Sequence, residues 1–352
     1  MSTNPEVSIV IPAYNTAAYI GRAIESALGQ TLTNIEIILV DDASTDRTLA
    51  VAKSFADSRL KVFTNPENLG VSATRNWAIS QAQGDWIAVL DSDDWYAPTR
   101  LERLVQLASQ HTADLIADDL HLVKDGEDRA WSTLITESGE SIVAIKQIDP
   151  VYFVETDVYG ELGLRLGISK PLFRREFLIQ HDLRYDPEIK VGEDFWLTLT
   201  CLARGARFFL VPEPYYYYVV RANSLVYTSK LVYLNQNCVL TSNFIKTEPI
   251  VRNSPQLARA LAEKYQTLQR YLDYFTFLDL LAHSKLHAVK NLISKPYIFR
   301  HLCSRIPGII QRRIQYYLLG NKTVFDIFHR TNRRRKQNSW YYPFQKMFGK
   351  SR

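Results

Sequence analysis

A short apolar run that ends in acidic residues constrains the fold more than any other part of the sequence. Residues 86–90 read Trp-Ile-Ala-Val-Leu, and Asp91, Asp93 and Asp94 follow directly. Runs of this composition are typical of strands that are buried on both faces of a parallel sheet. Ligands of open α/β sheets bind just beyond the carboxyl ends of such strands. The sequence therefore places clustered negative charge where a ligand is expected.

Asp91 and Asp93 are candidate metal ligands, because closely spaced carboxylates repel one another and a bound cation relieves that repulsion. Their hard oxygens, with no Cys or His beside them, favour Mg²⁺ or Mn²⁺. An ion held by one or two carboxylates typically also binds the phosphates of a substrate. Asp-x-Asp is a common pattern, and a solvated acidic turn after the strand is the alternative.

Strands and helices are predicted to alternate over the first 120 residues. Further strands are predicted at Val7–Pro12, Ile35–Val40, Leu60–Phe63 and Ala113–Ala117. The intervening helices are predicted to begin near Ile20, Arg47, Ser72 and Pro98, with Asn15 or Thr16 capping the first and Ser44 or Thr45 the second. This series predicts an α/β fold with a mostly parallel sheet and helices on both of its faces.

The pattern is less regular after residue 120. A hairpin is predicted around Lys124–Glu127, a short helix from Lys170 through Gln180, and a further helix opening at Gly192. Two separate strands are predicted at Arg207–Val211 and Tyr215–Val220, and helices follow from about Leu231.

Composition excludes several classes of protein. The 352 residues carry a formal net charge of +5 and three scattered cysteines, which predicts neither a disulfide framework nor a cysteine metal cluster and fits a reducing cytosol. Residues 1–6 lack the pattern of a secretory signal, and no apolar stretch is long enough to span a bilayer. Neither a Gly-x-Gly-x-x-Gly nor a Gly-Lys-Ser/Thr loop is present, which argues against a dinucleotide oxidoreductase and a P-loop enzyme.

Five segments, taken in order, resemble the motif set of family 2 glycosyltransferases, and especially that of bacterial exopolysaccharide transferases of the succinoglycan type. The match covers about residues 5–225. The resemblance implies a GT-A fold, with a Rossmann-like nucleotide-binding sheet. The segments are residues 7–15 (VSIVIPAYN), 40–46 (VDDASTD), 68–76 (NLGVSATRN), 90–94 (LDSDD) and 192–194 (GED).

The resemblance implies a donor site, since the polar residues at neighbouring strand ends converge on one crevice. Asp42 would read the base, most often uracil, and Arg75 would support the base and phosphate region. Arg221 would reach the diphosphate from an Arg-x-x-Ser loop. The donor-binding set implied by the family is Pro12, Tyr14, Asn15, Asp42, Gly70, Arg75, Ser92 and Arg221.

The resemblance also implies the catalytic groups. Asp91 and Asp93 would bind the diphosphate of the donor through Mn²⁺ or Mg²⁺. Asp194 would be the general base, and Glu193 would orient an acceptor hydroxyl or the base itself. One displacement with one base implies inversion at the anomeric carbon. The alternative for Glu193 and Asp194 is structural, because acidic residues are favoured in the first turn of any helix.

We therefore expect an inverting, metal-dependent hexosyltransferase that moves a sugar from a nucleotide-sugar, expected to be a UDP-sugar, to a hydroxyl of a saccharide or lipid-linked saccharide in cell-surface or exopolysaccharide synthesis. No Gln-x-x-Arg-Trp motif is evident, which favours one sugar per encounter over processive synthesis. The alternatives are a catalytically degenerate protein that binds nucleotide-sugars and a sugar nucleotidyltransferase. The latter would need a Gly-rich N-terminal loop, and residues 12–16 do not provide one.

Three regions are predicted: a catalytic domain at 1–228, with a donor half at 1–120 and an acceptor half at 121–228; a helical region at 229–310; and a basic, aromatic tail at 311–352. The tail contains a single acid, Asp326. A solvated end, a nucleic-acid patch and a membrane anchor are its alternatives. Basic and aromatic residues together favour an anionic bilayer. We expect a cytoplasmic protein attached to the inner face of the plasma membrane, with no nucleic-acid partner.

Overall fold

The computed structural model describes residues 4–160, 163–221, 230–300 and 303. The chain divides into two compact units. The first contains the described residues up to Val220 together with Ile245–Leu261, and the second contains the described residues of Arg221–Phe244 and those from Ala262 onward. Among the described residues, no helix has both the length and the apolar character needed to cross a bilayer.

Ten strands form one sheet in the first unit. They are β1 (Val7–Ala13), β2 (Ile35–Asp41), β3 (Leu60–Thr64), β4 (Trp86–Val89), β5 (Trp95–Tyr96), β6 (Leu115–Lys124), β7 (Ala130–Thr133), β8 (Lys146–Ile148), β9 (Leu172–Arg174) and β10 (Phe208–Val220).

The first eight helices lie in the first unit. They are α1 (Ile20–Leu28), α2 (Thr48–Lys53), α3 (Val71–Gln81), α4 (Arg100–Gln110), α5 (Leu134–Ser138), α6 (Pro150–Glu155), α7 (Arg175–Gln180) and α8 (Glu193–Ala203). The helices that follow are α9 (Lys230–Thr247), α10 (Pro249–Asn253), α11 (Pro255–His283) and α12 (Lys285–Ser294).

The strand order is β3-β2-β1-β4-β9-β6-β10-β5, with β7 on β6 and β8 on β10. The pairs β1/β2, β1/β4, β2/β3 and β6/β10 are parallel, as the alternating pattern predicts. Every residue of β1 and β2 is buried, which explains why both strands are mainly apolar in sequence. The α/β fold is thus confirmed, and its parallel strands end at one edge.

The structure differs from the sequence prediction most clearly at β9. We predicted a helix from Lys170, but Leu172–Arg174 form a strand that runs antiparallel between β4 and β6, and only α7 is helical. The sheet is therefore mixed. Three residues are too few to show a period, so the sequence could not separate this strand from the helix that follows it.

Three smaller predictions were also wrong. The two strands predicted beyond residue 206 are one strand, β10, whose register shifts on both sides of Pro214. Neither Ser44 nor Thr45 caps α2, which begins at Thr48, and no side chain caps α1. Instead the loops after β1 and β2 bond to each other, because Asn15 Oδ1 accepts from the Thr45 N–H at 2.8 Å and Ser44 Oγ accepts from the Asn15 N–H.

Gly84 lies where the chain passes against β1 before it enters β4. A Cβ atom at this position would lie 2.6 Å from the Ser8 nitrogen and 2.8 Å from Ser8 Oγ. Ser8 Oγ itself accepts from the Gly84 N–H and donates to the buried Glu36. The approach therefore leaves no space for a side chain.

Gly84→Ala is expected to lower the free energy of unfolding by about 1–3 kcal/mol, because the backbone of β1 would have to shift. Chemical denaturation of the purified protein measures this. Gly21→Ala in α1 is the matched control, since its Cβ would meet only Val51 at 3.9 Å and the helix should gain up to about 1 kcal/mol. Equal midpoints for the two variants would contradict the expectation.

Candidate active site

Residues from four parts of the first unit meet beyond the carboxyl end of β4. Asp91 follows β4, Arg75 lies on α3, Glu193 and Asp194 form the first turn of α8, and Lys170 precedes β9. Gly192 takes the left-handed conformation at φ 90° just before α8, which a glycine adopts without strain. This turn directs two adjacent carboxylates toward the end of β4.

Arg75 binds three carboxylates at once. Its guanidinium is almost fully buried and donates from Nη2 to Asp91 at 2.6 Å, and from Nη1 to Glu193 at 2.8 Å and Asp194 at 3.1 Å. Burial by itself would lower the pKa of Arg75, but Asp194 and Asp91 outweigh it and raise that pKa well above its usual value. Arg75 therefore remains charged and joins α3, β4 and α8.

Lys170 completes the arrangement, and sequence analysis did not identify it. Its ammonium lies 2.8 Å from Asp91 Oδ2 and 2.5 Å from Asp194 Oδ2. Arg75 bridges the Oδ1 atoms of the same two carboxylates, so both oxygens of each are bound by a cation. Burial opposes the charge of Lys170, yet Asp194 and Asp91 raise its pKa well above the usual value.

The pKa values of Asp91 and Glu193 are shifted in opposite directions. Burial would raise the pKa of Asp91, but Lys170 and Arg75 outweigh it and hold that pKa well below its usual range. The pKa of Glu193 is raised, mainly by burial and then by the charge of Asp194. Carboxyl groups whose pKa values are separated in this way are typical of acid–base sites.

Tyr185 and Asn76 orient the base candidate. The hydroxyl of Tyr185 donates to Asp194 Oδ1 at 3.1 Å, and the Tyr185 ring lies 5.0 Å from the guanidinium of Arg75. The amide side chain of Asn76 bonds both backbone groups of Tyr185, at 2.7 and 2.9 Å. Asp194 thus accepts hydrogen bonds from three donors. A carboxylate accepts about four hydrogen bonds, so Oδ2 can accept one more.

A buried ion pair bonds the backbone of Lys170. Arg100 and Asp118 are both buried, with Nη2 and Oδ1 2.8 Å apart, and Nη2 of Arg100 also donates to the Lys170 carbonyl at 2.7 Å. The rings of Tyr96 and Tyr216 lie 4.4 and 5.1 Å from the Arg100 guanidinium. This pair holds the backbone that carries Lys170.

Asp94 is bound to β10. It accepts from the Tyr216 hydroxyl at 2.8 Å and from the Val219 N–H at 2.7 Å. Burial, together with Asp93 and Asp91, raises its pKa well above the usual value. The Tyr216 oxygen also accepts from the Asp91 N–H at 3.3 Å, so the acidic turn is fixed to β10.

Asp42 is buried beneath the loop that leads into α3. It accepts from the N–H groups of Leu69 and Gly70, both at 2.9 Å, and from the side chain of Asn65 at 2.7 Å. Gly70 has φ 86° and immediately precedes α3. Asp42 therefore links the end of β2 to the start of the helix that carries Arg75.

Most of the other predicted donor residues lie on β1, on the loop after it and in the acidic turn. Pro12 is buried in β1, Tyr14 and Asn15 are exposed on the loop after it, and Ser92 is buried in the acidic turn. Arg221 belongs to the second unit and directly precedes residues 222–229, which the structure does not describe. The structure thus groups Arg75, Asp91, Glu193 and Asp194.

The carboxylates partly fit a divalent ion. Asp93 is half-buried beside Asp91, and both offer the hard oxygens that Mg²⁺ and Mn²⁺ prefer. Within the described residues, no group of three or more His, Cys, Asp or Glu side chains is arranged to hold a metal by itself. Two carboxylates would bind such an ion only together with substrate phosphates and water.

Comparison with known proteins identifies the family. The chain is 32% identical to the succinoglycan biosynthesis protein ExoO of Rhizobium meliloti (strain 1021) over 313 residues, which cover 88% of this chain and 87% of that protein. The model of glycosyl transferase family 2 matches residues 8–168. The chain belongs to glycosyl transferase family 2. The resemblance found in the sequence is confirmed.

Two further similarities agree with this assignment. ExoU, another succinoglycan biosynthesis protein of the same organism, is 39% identical over 225 residues, or 62% of this chain and 64% of ExoU. The crystal structure of S. aureus TarS in complex with UDP-GlcNAc matches with a TM-score of 0.57 and 20% identity, over 84% of this chain and 92% of that one. The fold of this glycosyltransferase is the GT-A fold.

Lys170→Met should lower the free energy of unfolding by about 3–5 kcal/mol, because Asp91 and Asp194 would face each other with only Arg75 between them. Denaturation at neutral pH measures the loss. Lys53→Met at an exposed position is the matched control and should change stability little. Asp194→Asn should lower the free energy of unfolding by less in the Lys170→Met background than in the wild type. Additive effects would show that the two side chains are not coupled.

Proposed function

We propose that this glycosyltransferase transfers a sugar, with inversion and with the aid of a divalent metal, from a UDP-sugar to a hydroxyl of a saccharide or lipid-linked saccharide. One observation carries the proposal: Arg75 and Lys170 bridge Asp91, at the end of a donor-side strand, to Asp194 at the start of α8. The proposed base and the expected position of the diphosphate therefore lie side by side.

The donor assignment is supported by the nucleotides named for a protein of similar fold, since TarS has been crystallised with UDP and with UDP-GlcNAc. Asp42 directly follows β2 and Arg75 lies in the second turn of α3, where we expect the base and the phosphates to lie. The ring of Tyr14, 47% exposed beyond β1, is available to contact a nucleotide. We assign Pro12, Asn15, Gly70 and Ser92 to the same donor site.

We assign the metal chiefly to Asp93. Asp91 is already neutralised by Arg75 and Lys170, and a third cation on its oxygens would meet their repulsion. Asp93 stands beside it in the same acidic turn. When bound with the donor, Mn²⁺ or Mg²⁺ would stabilise the negative charge of the diphosphate. Arg75 and Lys170 add fixed positive charge on the same side.

Asp194 is the proposed base in a single displacement. The acceptor hydroxyl donates to Asp194 Oδ2, and its proton passes to that carboxylate as the oxygen forms a bond to the anomeric carbon. The bond from the anomeric carbon to the phosphate oxygen breaks, and the nucleoside diphosphate leaves. Arg75, Lys170 and Tyr185 hold the carboxylate in place throughout. Glu193 is the proposed orienting group for the acceptor.

We also propose the biological setting. The similarity to ExoO and ExoU, both named succinoglycan biosynthesis proteins, supports a role in exopolysaccharide synthesis. The basic and aromatic residues 311–352 lie outside the described residues, and the proposal that they attach the enzyme to the inner face of the plasma membrane rests on their sequence. A catalytically degenerate binding protein is the competing function.

Calorimetric titration with UDP, GDP and dTDP, with and without Mn²⁺, tests the donor site. We expect UDP to bind most tightly, and only when the metal is present. Asp93→Asn should abolish the effect of the metal, since it removes the main metal ligand while leaving the Arg75 and Lys170 contacts intact. Asp85→Asn, an exposed change elsewhere in the first unit, is the control. Failure of every nucleotide to bind would argue against a donor site.

Asp194→Asn should lower transfer by at least about 10³-fold while UDP affinity stays within a few-fold, because the amide keeps most contacts but cannot take a proton. Release of UDP from a UDP-sugar in the presence of acceptor measures transfer, and calorimetry measures binding. A variant that binds UDP and transfers at the normal rate would remove Asp194 from this role. A wild-type protein that binds UDP-sugars but transfers nothing would support the degenerate binding protein.

A further inference from the structure

Helix α12 in the second unit exposes an apolar stripe to solvent. Leu286, Val289 and Ile293 are 65%, 53% and 75% exposed. Each residue of a helix advances by about 100° around its axis, so these three positions fall within about 60° of one another. Three large apolar side chains on one side of a ten-residue helix are more than scattered exposure would produce.

The opposite side of α12 is packed, so the helix is held in place. Ala288 is fully buried in a cluster with Phe277 of α11 and Ile298, and Leu292 packs against the same cluster. Beyond the helix, Asp273 of α11 bonds the ammonium of Lys295 at 2.5 Å and the hydroxyl of Tyr297. The stripe therefore belongs to an anchored helix.

Positive charge borders the stripe. Lys285 and Lys290 are exposed and flank it on its two sides around the helix, and Arg300 is exposed beyond it. Phe299, 60% exposed, adds an aromatic ring beside Arg300. Residues 280–300 contain no Asp or Glu. The surface thus combines an apolar stripe with cations, and its own segment contains no acidic residue that would repel an anion.

We propose that this face of α12 docks on an anionic membrane surface. An amphipathic helix with an apolar stripe and flanking lysines lies in the plane of a bilayer interface, where acyl chains cover the stripe and anionic headgroups pair with the lysines. A second copy of the chain is a poorer occupant, because a two-fold contact would bring the same cations together. The inference gives the proposed membrane attachment a described surface.

Docking through α12 also suits the proposed acceptor. A lipid-linked saccharide stays at the bilayer, so attachment raises the local concentration of the enzyme around its substrate. This consequence rests on the proposed function. The docking itself does not, since it requires only the exposed face and the lipid.

Co-sedimentation of the 352-residue chain with vesicles tests the proposal. Vesicles of phosphatidylcholine alone are compared with vesicles containing about one third phosphatidylglycerol, at low and at physiological salt. The triple variant Leu286→Ser, Val289→Ser, Ile293→Ser should bind the anionic vesicles at least about tenfold more weakly than the wild type. The pair Lys285→Glu, Lys290→Glu should also weaken binding and reduce its dependence on salt.

The matched control changes two exposed apolar residues of the first unit, Val143→Ser and Ile179→Ser, which should leave vesicle binding unchanged. Nucleotide binding by each variant checks that it is folded, and failure of that assay in the wild type would count against the proposed function alone. The docking proposal is overturned if the wild type does not bind anionic vesicles, or if the triple variant binds them equally well. A wild-type dimer that the triple variant abolishes, without vesicle binding, would assign the face to a second copy.

Discussion

The burial of charge at the end of β4 is the constraint on which the site depends. Asp91 and Asp194 come from distant parts of the chain, and their carboxylates would repel each other if nothing stood between them. Arg75 bridges one pair of their oxygens and Lys170 the other. A buried cation is equally unfavourable without its carboxylates. Each element is therefore stable in this position only while the others are present.

The register of the neighbouring strands positions Lys170 in this cluster. Antiparallel β9 pairs Leu172 with Ala88, so the residues before β9 run alongside those after β4. That register brings Lys170 beside Asp91, and the buried Arg100–Asp118 pair fixes its carbonyl. Position in the cluster thus comes from main-chain pairing, while the long side chains supply the contacts.

The same environment shifts the pKa values of two of the acids in opposite directions. Asp91, held between two cations, keeps a pKa well below its usual range, whereas burial raises the pKa of Glu193. A carboxylate that stays charged suits a donor site containing phosphates and cations, and a carboxyl group that protonates more readily suits hydrogen bonding to an acceptor. Two acids from distant parts of the chain are thus suited to the different steps that we propose for them.

The sequence by itself determined the strands β1 to β4, the family, and the residues Arg75, Asp91, Glu193 and Asp194, because long apolar runs and ordered motifs are local signals. Tertiary structure decided the antiparallel β9, the bridging role of Lys170, and the contacts of Asp42 and Asp94. Those depend on contacts between residues that are distant in sequence, such as Lys170 with Asp194, 24 positions apart, and Tyr216 with Asp94, 122 positions apart. Lys170 is followed by the short run Pro-Leu-Phe-Arg, which gives no indication of an acidic partner. Only the folded sheet brings the carboxylates to this lysine.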